Sequence, residues 1–568
     1  MRLIAERGTL LDESDIGELL NLSLPGLDEV MALFELSEFE GGSDYARIVV
    51  DTAPSGHTSR LLQLPAVFAA WVRALDTMGD KHRYMVARLL GRGREDEVDV
   101  FLREMTERIE RVRAILYDRN RSAFTLVTVP ERVVVEETLR YFDDLRRSEV
   151  PVTSLIINRV ERQHDDCKYC RARAAAQKPL RALVKRRFKG FDLHTVPLID
   201  EVRGVRRLRR FAHLVWEAKG EALFEDATKG RTIRRSSIAQ SAGADEGFDL
   251  APRRLLIFGG KGGVGKTTAA SAAALALAEK DTGSRVLIFS TDPAHSLSDT
   301  FNERVGELKR GVAGQKNLDA SEIDPNARFE AMKDRYRAWT DRLFESLTAG
   351  SPWEIQFDRE AMREIISLAP PGIDEIAALG AISDQLDEGY TTIVLDTAPT
   401  GHLVRFLQLP EIALSWVRTF MKLVMKYKSV ADWSGVAEEL IALSKSIKRL
   451  SALLASAGEC EFVGVAIAEE MSLQETVRLT ETLKRLKVPM RRLLINNVVS
   501  DEAASHCGFC AARRRAQMKV IEEFRKHFRR GSNLLIAPQQ PREVRGRKQL
   551  LAHFADWHAL VEGAKRKR

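Results

Sequence analysis

Residues 253–268 read RRLLIFGGKGGVGKTT. An apolar run, Leu255–Phe258, meets a glycine-rich loop, and Lys266-Thr267-Thr268 then opens an alanine-rich stretch. Gly260 to Thr267 satisfies G-x-x-x-x-G-K-[ST] in a strand–loop–helix setting. Glycines at Gly260, Gly262, Gly263 and Gly265 let backbone N–H groups, that of Val264 included, curl around phosphate without Cβ clashes. The positive N-terminus of the following helix faces the same charge. Lys266 is expected to bridge the β- and γ-phosphates, and Thr267, followed by Thr268, to ligate Mg2+. A strand, phosphate loop and helix in this order set the fold class: α/β, with a doubly wound, mostly parallel sheet.

Two acids follow at strand ends. VLIFSTDPAHSLSDTF (Val286–Phe301) places Asp292 just past an apolar strand, beside the phosphates. A carboxylate there can orient or deprotonate an attacking water. TTIVLDTAPTGH (Thr391–His402) ends another strand at Asp396, which suits a carboxylate supporting Mg2+, and its Gly401-containing loop can move with the γ-phosphate.

The chain is duplicated. IVVDTAPSGHTSRLLQLP (Ile48–Pro65) recurs as IVLDTAPTGHLVRFLQLP (Ile393–Pro410), and PGLDE (Pro25–Glu29) as PGIDE (Pro371–Glu375). LIINRV (Leu155–Val160) recurs as LLINNV (Leu493–Val498), DDCKYCRARAAAQ (Asp165–Gln177) as SHCGFCAARRRAQ (Ser505–Gln517), and Glu201–Gly204 as Glu543–Gly546. The common order predicts two related doubly wound halves, 1–224 and 253–568, each with an inserted helical region, meeting about a pseudo-two-fold axis as an intramolecular pseudo-dimer. Residues 225–252 are polar and small, without apolar periodicity, and read as a flexible linker. The first half lacks the phosphate loop, its leading strand and the first switch, roughly 90 residues by repeat alignment. Either the true start lies upstream of Met1 or the first half is a shortened partner; the exposed core that the loss implies favours the upstream start.

Gly260–Thr268, Ser290–Asp299, Pro371–Glu375 and Asp396–His402 together resemble the family of arsenite-pump ATPases and tail-anchored-protein targeting ATPases, over nearly the whole chain. The resemblance implies Mg-ATP hydrolysis coupled to transport or targeting, with Lys261 reaching a nucleotide across a dimer interface and Asp292 as the catalytic carboxylate. It also implies that Asn496 contacts adenine and that the segment after Pro538 closes over the base. Asn158 is the first-half counterpart of Asn496.

Cys167-Lys168-Tyr169-Cys170 and Cys507-Gly508-Phe509-Cys510 hold equivalent repeat positions. Four thiolates meeting on the pseudo-two-fold axis would make a tetrahedral Zn2+ site. Redox-active thiols and unoccupied cysteines remain the alternatives. The targeting branch resembles this pairing, whereas tandem halves resemble the pump branch, whose three-thiolate metalloid site has no evident counterpart. Cys460, outside both pairs, reads as a core cysteine. The first expectation is arsenite or antimonite efflux energised through a membrane transporter; the alternative is an ATP-gated, redox-regulated chaperone for an apolar client helix.

After Pro410 the residues Ile412, Ala413, Trp416, Val417, Phe420, Met421, Val424 and Met425 follow helical spacing. Val67, Phe68, Trp71, Val72 and Met78 do so in the first half. Such a stripe is either a client groove or ordinary packing, with packing the commoner use. The 568 residues are 44% hydrophobic and 30% charged, which excludes a disordered chain and allows roughly two to four domains. Five cysteines exclude a secreted disulfide framework. The net charge of +7 comes from 88 bases against 81 acids mixed along helices, and no nucleic-acid module is evident. The N-terminus has no apolar signal region, and Ala269–Ala278 is too short to span a bilayer. A cytoplasmic protein acting on membranes through a separate partner is expected.

Overall fold

The computed structural model describes residues 45–52, 97–162, 167–199, 204–216, 253–291, 296–323, 385–386, 388–397, 400–426, 434–528 and 533–560, with single positions 35, 202, 250 and 334. The first half contributes α1 (Glu97–Tyr117), β1 (Phe124–Thr128), α2 (Arg132–Arg147), β2 (Val152–Val160), α3 (Lys168–Arg187), β3 (Asp192–Pro197) and α4 (Val205–Trp216). The second half opens with β4 (Leu255–Gly259), α5 (Lys266–Lys280), β5 (Val286–Ser290), α6 (Ser296–Phe301), β6 (Arg310–Gly311), β7 (Leu318–Glu322) and β8 (Thr392–Asp396). It continues through α7 (Thr400–Lys426), α8 (Ser434–Ala455), β9 (Cys460–Ile467), α9 (Glu470–Arg485), β10 (Met490–Val498), α10 (Asp501–His506), α11 (Gly508–His527), β11 (Asn533–Pro538), α12 (Gly546–Ala555) and β12 (His558–Ala559).

The second-half strands form one sheet in the order β12-β11-β10-β9-β4-β8-β5-β7-β6. Only the end pairs β11–β12 and β6–β7 are antiparallel. A parallel strand covered on both faces must be apolar on both, and β4, β5 and β8 are buried at every position. Alternate residues sort to opposite faces. Leu256 and Phe258 pack with α5 and Leu550 of α12. Leu255 and Ile257 pack with Leu403 of α7, Leu450 of α8 and Leu479 of α9. α5 is buried on almost all sides, and its alanines allow the close approach to the sheet that larger side chains would prevent.

The described first half holds a parallel sheet, β1-β2-β3, with Phe142 of α2 and Phe188 after α3 in its core. These elements repeat β9-β10-β11 and their helices down to the backbone. Glu149 and Lys487 stand at φ 59° and 58°, and Arg159 and Asn497 at 56° and 61°. The repeat leads one to expect Ile48–Asp51 to form a strand like β8. Residues 48–52 are instead unpaired, and Val49 is 94% exposed. β8 lies between β4 and β5, whose sequence counterparts do not occur in residues 1–224. Among the described residues β1 ends its sheet, and Val127 is exposed where the corresponding β9 is buried along nearly its whole length.

Of the helical stripe after Pro410, Ala413 and Val417 pack against Ile447 of α8, Met421 is half-buried and Met425 is exposed. The first-half stripe from Val67 to Met78 lies outside the described residues, as do Pro25–Glu29, Pro371–Glu375 and the linker apart from Leu250. Leu250 is buried against the α5 face of the sheet. Among the described residues no helix is long and apolar enough to cross a membrane.

Candidate nucleotide site and thiol cluster

The phosphate loop leaves β4 at the sheet's centre and ends at Gly265, which caps α5 at φ 90°. Its concavity exists because two positions lack side chains. A Cβ on Gly260 would lie 2.0 Å from the Val465 carbonyl oxygen, and one on Gly265 would lie 2.4 Å from Asn496 Nδ2. Lys266 is buried, and its Nζ donates to the Lys261 carbonyl at 3.3 Å across the loop.

On the β8–β5 side, Asp396 is fully buried. Its Oδ2 accepts hydrogen bonds from Thr267 Oγ1 at 2.9 Å and from Ser290 Oγ at 3.1 Å. A hydroxyl donating to a carboxylate presents its oxygen lone pairs to the loop, which is the hard oxygen chemistry Mg2+ takes. Thr267 and Asp396 thus fit the metal role assigned to them from the sequence. On the β10 side, Asn496 Nδ2 donates to the Val264 carbonyl at 2.9 Å, and its Oδ1 accepts from the Asn497 N–H at 2.9 Å. The structure brings Asn496 against the phosphate loop. Lys261 Nζ stands 3.9 Å from Glu475 of α9, within its own half. Asp292 lies outside the described residues.

The sequence reading missed Glu322. It is buried at the end of β7 and accepts hydrogen bonds from the Leu297 N–H at 2.6 Å and the Ser298 hydroxyl at 3.1 Å. It thereby fixes the start of α6, directly after the segment that carries Asp292. A single acid in an otherwise ordinary strand gives no sequence signal for this contact.

The halves meet at the cysteines. α3 and α11 each begin with a C-x-x-C pair, and the sulfurs of Cys167, Cys170, Cys507 and Cys510 all lie within 4.8 Å of one another. Cys170–Cys510 is 3.5 Å, and Cys167–Cys510 and Cys170–Cys507 are 4.0 Å. All four are free thiols, packed with Tyr169, Val499, Ala503 and Phe509. Zn–S bonds of about 2.3 Å in a tetrahedron require sulfurs about 3.8 Å apart, so the set fits a four-thiolate metal. Hydrogen bonding from the Cys170 thiol, helped by Cys507 and Cys167, brings Cys510 down to about 6 against the opposing effect of burial. Burial pushes Cys507 up to about 11. Cys460 is fully buried in β9, and burial pushes it up to about 12. It is a core thiol, remote from the cluster in the sheet pairing.

Further contacts tie the halves beside this cluster. Arg159 donates to Glu469 at 2.6 Å, and Tyr169 Oη donates to Gln539 Oε1 at 2.6 Å. Buried Glu161 accepts from Arg173 at 2.6 Å and lies 3.8 Å from Arg513.

Residues 3–217 and 253–557 match the family described as anion-transporting ATPase. The chain is 29% identical over 590 aligned positions to ATPase ARSA1 of Chlamydomonas reinhardtii, covering 94% of this chain and 70% of that protein. It is 33% identical over 318 positions to ATPase GET3 of Podospora anserina, covering 53% of this chain and 90% of that protein. It is 31% identical over 318 positions to ATPase get3 of Aspergillus niger, again over 53% of this chain and 89% of the other. A relative spanning both halves and relatives spanning about one half agree with a tandem organisation.

Proposed function

The chain belongs to the anion-transporting ATPase family, and from that premise we propose that its second half hydrolyses Mg-ATP and couples turnover to moving or targeting cargo at a membrane. The observation that carries the reading is the joined set of phosphate loop, Lys266 and the Thr267–Asp396–Ser290 hydrogen bonds. Loop N–H groups and Lys266 bind the β- and γ-phosphates. Asp396 orients the Thr267 hydroxyl. Mg2+, held by Thr267 with Asp396 behind it, neutralises phosphate charge when bound. Asp292 orients or deprotonates the attacking water. Glu322 supports that step by anchoring α6 immediately behind the Asp292 segment. Closure of the halves excludes water, and hydrolysis loosens Asp396–His402 and the contact between halves.

In the same reading Cys167, Cys170, Cys507 and Cys510 hold one Zn2+ that fastens the two halves. This favours an apolar helix as cargo, delivered from the cytoplasmic side to a membrane partner. The four clustered thiols are matched to a tetrahedral metal, and Cys460 is in the core, so among the described residues no separate three-thiol set remains for a metalloid. A second reading, arsenite or antimonite efflux through a membrane transporter, is favoured by the tandem organisation shared with ATPase ARSA1.

Steady-state ATP turnover by the zinc-loaded chain decides between them. Lys266→Ala is expected to abolish turnover while the thermal transition is kept; unchanged turnover would sink the ATPase reading. Stimulation by a soluble apolar helical peptide, with no response to antimonite, supports the helix cargo. Stimulation by antimonite that disappears in the cysteine variants replaces it with the metalloid.

A further inference from the structure

The sheet fixes which way a nucleotide lies. Thr267, Ser290 and Asp396 put the metal-binding side of the loop over β8 and β5. A nucleoside attached to phosphates in Gly260–Thr268 therefore extends the other way, across Asn496 and over the carboxyl ends of β10 and β11. The chain leaves β11 at Pro538 and continues as Gln539-Gln540 along that border. This orientation rests on the proposed Mg-ATP site.

Gln539-Gln540 is held from both halves, with two of its contacts made by first-half side chains. Tyr169 Oη donates to Gln539 Oε1 at 2.6 Å, and Arg513 reaches the same oxygen at 3.3 Å. Arg173 Nη1 donates to the Gln540 carbonyl at 3.2 Å. The Arg132 backbone N–H donates to Glu543 further along the same segment. Arg173 is itself fixed by Glu161, whose backbone N–H donates to Gln177 Oε1 at 2.8 Å.

The repeat makes this arrangement informative. Arg513 matches Arg173 and Gln517 matches Gln177, and Gln517 Oε1 likewise accepts the Val499 N–H at 2.9 Å. The shared frame is thus present in both halves. Two positions differ: Tyr169 is matched by Phe509, and Glu161 by Val499. The hydroxyl and the carboxylate occur only on the half that reaches toward the phosphate-loop side.

We propose that Tyr169 and Arg173 are positioning residues for the second-half nucleotide: they hold Gln539-Gln540 in place and so set the affinity for the base-bearing part of the ligand. The first half is then a structural arm of the second-half site. Tyr169 and Arg173 act through the loop and need not touch nucleotide.

The test compares the full-length zinc-loaded protein with Tyr169→Phe, Gln539→Met and the double variant. Phenylalanine already stands at the matching position in the second half, so the packing change is small. KM and kcat for Mg-ATP are measured, with inorganic tripolyphosphate as a competitive inhibitor that occupies the phosphate loop but has no base. One lost hydrogen bond is expected to raise KM about fivefold, with kcat moving much less and the tripolyphosphate inhibition constant unchanged. The double variant should lose no more than either single one. An unchanged KM in Tyr169→Phe, additive losses, or a parallel weakening of tripolyphosphate would each overturn the proposal. Failure of the nucleotide site itself looks different: tripolyphosphate would not compete with ATP in the unmodified protein.

Discussion

Among the described glycines Gly260 is where an added methyl group has the least room, and Gly260→Ala is the sharpest test of the phosphate loop. An ideal Cβ there lies 2.0 Å from the Val465 carbonyl oxygen and 3.1 Å from its carbonyl carbon. Relaxed carbon–oxygen contacts begin near about 3.3 Å, so loop and strand must separate by about 1 Å. Neither side is a flexible side chain that can swing away. Val465 belongs to β9, paired with β4 and β10, and the loop begins at the end of β4 itself. Misplacing a catalytic group by about 1 Å costs about 100-fold in rate. Gly263→Ala is the matched control. Its φ is 76° with nothing within 4 Å of the added carbon, so it meets only the left-handed backbone penalty of about 1 kcal/mol, about a fivefold effect. The assay is steady-state Mg-ATP turnover, with the thermal transition of each variant measured in parallel. Gly260→Ala should keep about 1% of kcat/KM and Gly263→Ala about a fifth. A Gly260→Ala protein retaining more than a third of kcat/KM, or a Gly263→Ala protein falling as far, refutes the reasoning.

The purified chain should carry one zinc per molecule by elemental analysis, and Cys510→Ser should lose it and lower the thermal transition. Metal content unchanged by that substitution would argue against the four-thiolate site. His553 supplies a pH dependence. It is buried beside Trp557, and burial lowers its pKa to about 4 from 6.5. The folded state therefore binds fewer protons than the unfolded state. Its contribution is complete above about pH 6.5 and is lost as pH falls toward 4, for a total of about 3 kcal/mol. Denaturant midpoints should fall over that window, and His553→Leu should flatten the fall; an equal fall in the variant counts against the assignment.

What the sequence makes legible depends on how local the physics is. Phosphate binding needs fixed spacing along one loop, so Gly260–Thr267 can be read without the structure. β4, β5 and β8 are legible because a central parallel strand must be apolar on both faces. The meeting of Cys167 and Cys170 with Cys507 and Cys510 follows from duplication, since equivalent positions near a pseudo-axis approach one another. Glu322, Glu161 and Tyr169 carry no such signal. Each acts through one contact made between separate elements, and spacing along the chain does not encode which polar groups will face each other after packing. The same limit applies to Lys261, whose ion pair with Glu475 depends on where α9 lies.

Duplication within one chain also explains why the two halves can differ so selectively. In a dimer of identical subunits a residue at the Tyr169 position must serve both sides of the axis, because any change appears twice. A tandem chain removes that coupling. The shared backbone is kept, as the matching positive φ values at Arg159 and Asn497 show, and so is the arginine–glutamine frame around the thiols. Side chains that act on only one nucleotide site are then free to diverge between the halves. Tyr169 with Glu161 on one side, against Phe509 with Val499 on the other, is the pattern expected when first-half side chains hold the Gln539-Gln540 segment of the second half. On this argument, converting Phe509 to Tyr and Val499 to Glu adds nothing to ATP affinity, because those side chains belong to the half that already carries the loop they would otherwise hold.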